Sequence, residues 1–210
     1  MPKSLLKFAA QIGFTITPAQ ADKLVAYARC VWEKKGLLNL TSAPTFDEVL
    51  SRHICDGLIA AWQVDKLGLR AAQLADVGAG CGYIGLTMAV ALPQAHVTLV
   101  ESLEKRCKFI NWAAMQTGIC NISVKQVRLG QGTNFAFDLL TQRAMGPLPD
   151  IAAICLGAVR AGGIFLAFQG EHPQTALVNT SLGEYMQDVA YQLPCDNKTR
   201  HLVLFKKNHA

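Results

Sequence analysis

The spacing of apolar residues changes near residue 70. Upstream it is helical: Leu24, Val25, Ala28, Val31 and Trp32 recur three and four apart and the run ends at Gly36. Thr17-Pro18 precedes it, an N-cap residue followed by proline at the first helical position. A second stripe runs through Val49, Leu50, Ile54, Leu58, Ala61 and Trp62, behind Thr45-Phe46-Asp47-Glu48, which has the form of a capping box. The segment between the two, Leu37-Leu38-Asn39-Leu40-Thr41-Ser42, is too short and too apolar for a flexible linker.

Downstream, short β-branched runs alternate with helical stretches. The pattern predicts strands at 73–77, 96–101, 121–126, 137–142 and 163–168, and helices at about 84–91, 103–116 and 147–160. Strands separated by helices imply a parallel sheet with right-handed crossovers. The end differs: Glu184–Leu193 and Arg200–Lys206 read as two strands joined by Pro194-Cys195-Asp196-Asn197-Lys198, a closing antiparallel pair. The expectation is an α/β, Rossmann-like fold with a mostly parallel central sheet. A helical extension, residues 1–70, packs on a domain formed by residues 71–210, since no Gly/Ser/Pro-rich linker parts them.

Chemistry concentrates at 76–85, Asp-Val-Gly-Ala-Gly-Cys-Gly-Tyr-Ile-Gly, between a predicted strand and a helix that stops before Pro93. Such a turn sets backbone N–H groups and a positive dipole end beside a pocket. The next predicted strand ends in Glu101, 19 residues after Gly82, where a carboxylate can accept hydrogen bonds from a ribose. Gly80, Gly82 and Gly85 also fit the dinucleotide spacing, so NAD stays open on the glycines alone. A turn that merely packs helix on strand is the bland alternative.

Composition narrows this further. The chain has 210 residues, 51% hydrophobic and 17% charged, ample for one large core. Mean hydropathy is +0.23, yet the longest apolar span, Ile151–Phe168, is broken by Arg160 and Gly162-Gly163; it reads as helix, turn and strand rather than a membrane span. No signal peptide is read. Seven scattered cysteines without a C-x-x-C pair suggest reduced thiols in a cytoplasmic protein. Cys81 lies in the glycine turn, where a small residue is needed; a nucleophile there is the less common case. Net charge is +5, with basic residues in excess between Lys105 and Arg160. That permits nucleic acid without requiring it.

Several segments in order resemble the glucose-inhibited division protein B family, bacterial methyltransferases acting on guanine N7 of 16S ribosomal RNA. They are Asn39-Leu40-Thr41, His53 with Asp56, Asp76-Val77-Gly78 with Gly80 and Gly82, Val97–Leu103 followed by Lys105-Arg106, Arg143-Ala144, and Arg200–Val203. The resemblance runs from about Asn39 to Lys206. It implies S-adenosylmethionine as cofactor. Gly78 and Tyr83 would meet its methionine and ribose, with Gly80, Gly82 and Glu101 beside them and Leu129 and Gly130 around adenine. It implies Arg143 as the catalytic side chain, reaching into the pocket and touching cofactor. Asn39, Lys105, Arg106, Arg200 and His201 would face RNA, with Lys108 on the same helix as Lys105 and Arg106. The expected partner is small-subunit ribosomal RNA or the assembling subunit, with no metal and no membrane, and the protein a monomer.

Four departures from the family pattern stand out. Tyr83-Ile84-Gly85 replaces Phe-Pro-Gly, Gly130 replaces a carboxylate, Gln169-Gly170 replaces Lys-Gly, and Gln142 replaces the serine before Arg143. Guanine N7 has a free lone pair and no proton, so alignment is the main demand on the protein. Alternatives remain: a non-catalytic RNA-binding relative, an NAD-dependent oxidoreductase, or a small-molecule methyltransferase. Locally, a histidine such as His53 near an apolar stripe is more often structural, Asn39 can simply turn the chain, Lys105-Arg106-Lys108 can be a solvated helix face, and Arg200-His201 can finish a strand.

Overall fold

The computed structural model describes residues 1–132, 134–173 and 181–209, and all side chains among them except those of Leu37 and Leu38. Four helical elements come first: α1 (Pro2–Gln11), α2 (Pro18–Leu38), the single turn α3 (Phe46–Glu48) and α4 (Cys55–Lys66), the last two joined by a π-helical turn, Val49–Ile54. Then follow β1 (Gln73–Val77), α5 (Tyr83–Ala91), β2 (His96–Glu101), α6 (Glu104–Thr117), β3 (Ile122–Gln126), β4 (Phe137–Gln142), α7 (Leu148–Gly157), β5 (Val159–Gln169), β6 (Gly183–Gln192) and β7 (Thr199–Lys207).

The seven strands form one sheet in the order β3-β2-β1-β4-β5-β7-β6. β1 to β5 pair in parallel, and β7 is antiparallel to both neighbours, inserted between β5 and β6. From β1 the chain runs outward through β2 and β3, then returns to β4 on the other side. The strand order therefore reverses between β1 and β4, where α/β sheets open a crevice at their carboxyl ends. The N-terminal helices, α5 and α6 share one apolar core with a sheet face, from Leu5 through Leu24, Leu58 and Leu86 to Leu204. α7 covers the opposite face, setting Leu148, Ala152 and Leu156 against Leu140 and Phe165. Fully burying each such side chain contributes roughly 1.5–3 kcal/mol.

Three local expectations are corrected. α2 does not stop at Gly36: it continues to Leu38 and is terminated by Asn39 in the left-handed region (φ 49°), which asparagine tolerates. The Thr45–Glu48 capping box is half made. Thr45 Oγ1 accepts from the Glu48 N–H at 3.2 Å, but the Glu48 carboxylate turns to Arg52 at 2.6 Å, one turn on. Its complete counterpart lies at Thr17 and Gln20. The helix expected over 147–160 ends at Gly157, and Gly162-Gly163 lies within β5 rather than in a turn. Gly162 has φ 70°, and the β4–β5 register shifts between Phe137 and Leu139, so the pair forms a bulge.

Candidate active site at the ends of β1 and β4

A cleft of about 420 Å³ opens where the strand order reverses, lined by the 78–81 loop, Tyr83, Arg143, His53 and the Asn39–Ser42 segment. A second, of about 330 Å³, adjoins it along Glu101, Leu103, Arg128 and Leu129. Gly78, Arg106 and Ala144 line both.

The glycine loop is held by backbone and carboxylates. Gly78 and Ala79 N–H groups donate to the Val100 carbonyl at 2.9 and 3.2 Å. Gly82, at φ 92°, is the N-cap of α5. A Cβ on Gly80 (φ 61°) would meet only the Gly78 carbonyl, at 4.0 Å, so the loop shows bare backbone there. A Cβ on Gly78 would lie 2.5 Å from Met145 Cγ, so the Met145 side chain rests where this loop is barest. Asp76 accepts from the Gly85 N–H at 2.8 Å and from Thr141 Oγ1 at 3.2 Å. Burial raises its carboxyl to about 6 despite those bonds. Glu101, buried at the end of β2, accepts from the Gly80 N–H at 2.9 Å and the Leu103 N–H at 2.9 Å, with Arg106 at 3.6 Å. It ties the glycine loop to the start of α6.

On the other side, Arg143 leaves the end of β4 and donates from Nη1 to Asp56 Oδ2 at 2.8 Å, facing His53 Nδ1 at 3.3 Å. Among the described residues its side-chain hydrogen bonds all run through Nη1. Asp56 Oδ1 accepts from the Tyr191 hydroxyl at 2.9 Å. His53 stacks on Tyr83 with ring centroids 4.3 Å apart. Burial first, then Arg143 and Arg52, lower its pKa to about 3, so the imidazole is neutral near pH 7. The Tyr83 hydroxyl is buried without a hydrogen-bond partner among the described residues. The π-helical turn delivers His53 to the cleft, a common use of such turns.

The turn after Arg143 is strained. Ala144 has φ 60°, and it and Asn39 are the described non-glycine residues with positive φ; both line the cleft. Such a conformation costs on the order of 1–3 kcal/mol. The buried Gln142 offsets it: with its amide oxygen turned inward, it accepts from the N–H groups of Ala144 at 3.1 Å and Met145 at 2.7 Å.

The structure thus brings Gly78, Gly80, Gly82, Tyr83, Glu101, Leu129, Arg106, Arg143 and Asn39 to the two clefts or their loop. It sets Gly130 apart: at φ 87° it lines neither cleft, and a Cβ there would meet Ile154 Cγ2 at 3.1 Å. Lys105 is exposed on α6 and forms no ion pair among the described residues, whereas Lys108 pairs with Glu104. Arg200 is spent on Asp196, both terminal nitrogens binding its carboxylate at 2.8 and 2.7 Å, and His201 faces Asp188 at 2.8 Å. Both serve the β6–β7 pair. Cys81 is buried and its thiol is pushed up to about 11, far from thiolate; its carbonyl accepts from Tyr27. The motif reading names Asp56 and Gln142 without giving either a role at the site, and it does not name Tyr191. One signal was present: Asp56 interrupts an otherwise apolar helix start, Cys55-Asp56-Gly57-Leu58, and a carboxylate buried there needs a partner. No group of three or more metal-ligating side chains occurs among the described residues, and none of their helices is long and apolar enough to cross a membrane.

Comparison with known proteins agrees with this architecture. The family described as rRNA small subunit methyltransferase G (GidB) matches residues 20–203. The Ribosomal RNA small subunit methyltransferase G of Enterobacter sp. (strain 638) is 31% identical, covering 100% of both chains. Its namesake in Sorangium cellulosum (strain So ce56) is 32% identical over 99% of this chain and 88% of its own. Among solved structures, TrmN from Thermus thermophilus superposes with a TM-score of 0.56 at 17% identity, over 75% of this chain and 53% of that one. A SAM-dependent O-methyltransferase from Thermotoga maritima does so with 0.53 at 18%, over 74% and 65%. At such identities the structures speak for the fold alone.

Proposed function

The chain belongs to the rRNA small subunit methyltransferase G family, and we propose that it transfers the methyl group of S-adenosylmethionine to N7 of a guanine in small-subunit ribosomal RNA. It would do so in the cytoplasm as a monomer. The observation that carries the reading is the pairing, at one crevice, of a glycine loop tied to Glu101 with an anchored arginine.

The cleft suits the cofactor. Bare backbone at Gly80 admits close approach with Tyr83 lining the same cleft, and at Gly78 a ligand would take the place of the Met145 side chain. Glu101 lies at the end of β2, beside the loop, where a ribose would be held, and Leu129 supplies an apolar surface in the adjoining cleft for adenine. Bound there, the sulfonium supplies an electrophilic methyl on a good leaving group. The chain's own part is to align. N7 bears no proton, so no base is required, and the groups at hand match that: His53 is neutral and Asp76 is occupied by backbone and Thr141. Arg143 would hold guanine O6 or a phosphate through its fork. Lys105 and Arg106 would meet RNA phosphates on α6. Well-oriented reactants gain roughly 7–11 kcal/mol from positioning alone.

One observation favours a second reading, a relative that binds RNA without methylating it: Gly130 stands apart from the clefts and brings no carboxylate to them. A single assay separates the two. The protein is incubated with tritiated S-adenosylmethionine and either naked 16S RNA or small subunits lacking the modification. Label should enter one guanine, which borohydride and aniline then cleave as N7-methylguanine. No label in either substrate, with RNA still bound and no cofactor binding by calorimetry, would overturn the first reading and favour the second.

A further inference from the structure

Arg143 is fixed at both ends. Its backbone lies in the strained turn that Gln142 holds, and its guanidinium is anchored through Nη1 to Asp56. A guanidinium is planar, so fixing one terminal nitrogen restricts the direction of the other and of Nε. Neither of those has a partner among the described residues, and Arg143 lines the cleft. Asp56 is itself oriented. Its second oxygen accepts from Tyr191 on β6, and its side chain is only 7% exposed. Arg200, on β7, is register-paired with Tyr191 and consumed by Asp196, so it does not compete for Asp56 by hydrogen bonding.

If neutralising a buried cation were the whole task, one carboxylate contact would suffice. Tyr191 adds an orientational constraint from a strand outside the glycine-loop half of the sheet. We propose that Asp56 and Tyr191 are positioning residues: Asp56 sets the plane of the Arg143 guanidinium, Tyr191 sets the carboxylate, and together they present the free edge of the arginine to a guanine or phosphate. The proposal rests on the methyl-transfer reading for its substrate, but not for its geometry.

The test uses the full chain with Asp56→Asn, which keeps shape and loses charge, and Tyr191→Phe, which removes a single oxygen. Four quantities are read: kcat and KM for RNA methylation, the dissociation constant of S-adenosylmethionine by calorimetry, and the NMR signals of the Arg143 guanidinium. Resolved, slowly exchanging Nη protons are expected in the parent and motional averaging in both variants. Asp56→Asn should lower kcat on the order of 10–100-fold, the cost of a misplaced aligning group. Tyr191→Phe should lower it roughly three- to tenfold, the loss of one hydrogen bond. Cofactor affinity should stay within about twofold in Tyr191→Phe, since the glycine loop is untouched. An unchanged kcat in both variants overturns the proposal. So does an Arg143 signal that stays ordered in Tyr191→Phe, even in a protein that proves to transfer no methyl group, because that readout needs no catalysis. Should Asp56→Asn fail to fold, Tyr191→Phe alone decides.

Discussion

On the β1–β2 side of the cleft, the groups offered to a ligand are mostly backbone, bared by glycines with φ of 64°, 61° and 92° at Gly78, Gly80 and Gly82. On the β4 side they are side chains held by other side chains: Arg143 by Asp56, Asp56 by Tyr191, His53 stacked on Tyr83. The first half is local. Nearly all of its contacts link β1, the loop after it and the end of β2. The second half draws on residues 87 and 135 positions from Asp56. A backbone cradle is rigid and indifferent to the identity of its neighbours, which suits a cofactor of fixed shape. A side-chain network can be tuned by single substitutions, which suits the recognition of one base among many.

The sharpest way to break this contrast is Arg143→Ala. Methyl transfer should fall at least about 100-fold, while cofactor binding, which the proposal assigns mainly to the backbone half, should fall far less. Removing the guanidinium leaves Asp56 buried with a single hydroxyl partner, and stability should drop by about 3–5 kcal/mol without loss of the fold. Steady-state kinetics with calorimetry and urea unfolding measure all three; unchanged activity would sink the role given to Arg143.

Gly78→Ala attacks the other half. Its φ of 64° and the 2.5 Å approach to Met145 Cγ predict roughly 1–3 kcal/mol of lost stability and about tenfold weaker cofactor binding. Adding Met145→Ala should remove the clash but not the backbone strain. If the double variant binds as tightly as the parent, sterics alone set the requirement for glycine.

A third test concerns acid. His53 ionises near 6.5 in the unfolded chain and near 3 when folded, so protons favour unfolding as pH drops below 6.5, and this cost grows until about pH 3. His53→Phe keeps a ring against Tyr83 and cannot titrate. It should therefore lose less stability than the parent between pH 6 and 4, by up to about 3 kcal/mol at the acid end, since each pH step of one below 6.5 costs the parent roughly 1.4 kcal/mol. Asp76 acts in the opposite sense: its folded value of about 6 lies above the unfolded one, so its contribution falls as pH rises through that range. It is common to both proteins and cancels in the difference. Melting temperatures against pH test this, and parallel curves would mean that His53 takes up its proton without cost.

Legibility in the sequence follows the same divide. β1, β2 and β4 lie where alternation and branching place them, because buried parallel strands must be short apolar runs between turn signals. The glycine loop and Glu101 are spaced by a local constraint, one strand-turn-helix unit, so a motif can carry them. Gly162-Gly163 misled because glycine punctuates both turns and bulges, and only pairing with β4 selects the bulge. Tyr191 and Gln142 were opaque, and Asp56 was legible only as a buried carboxylate in need of a partner, because their meaning depends on what the sheet brings beside them. Arg200 and His201 look like ligand groups until Asp196 and Asp188 are seen to consume them.

The span between Asp56 and Tyr191 also separates the two halves of the cleft in the order of synthesis. As the chain leaves the ribosome, the glycine loop and β2 appear long before the strand that supplies Tyr191. A folding intermediate built on β1 to β4 would already possess the local half of the cleft, yet its arginine would lack its final clamp. Contacts so remote in sequence carry a larger closure entropy than those within one strand-turn-helix unit. On the proposed function, the half that would hold a nucleoside is complete along the chain well before the half that would aim at a base.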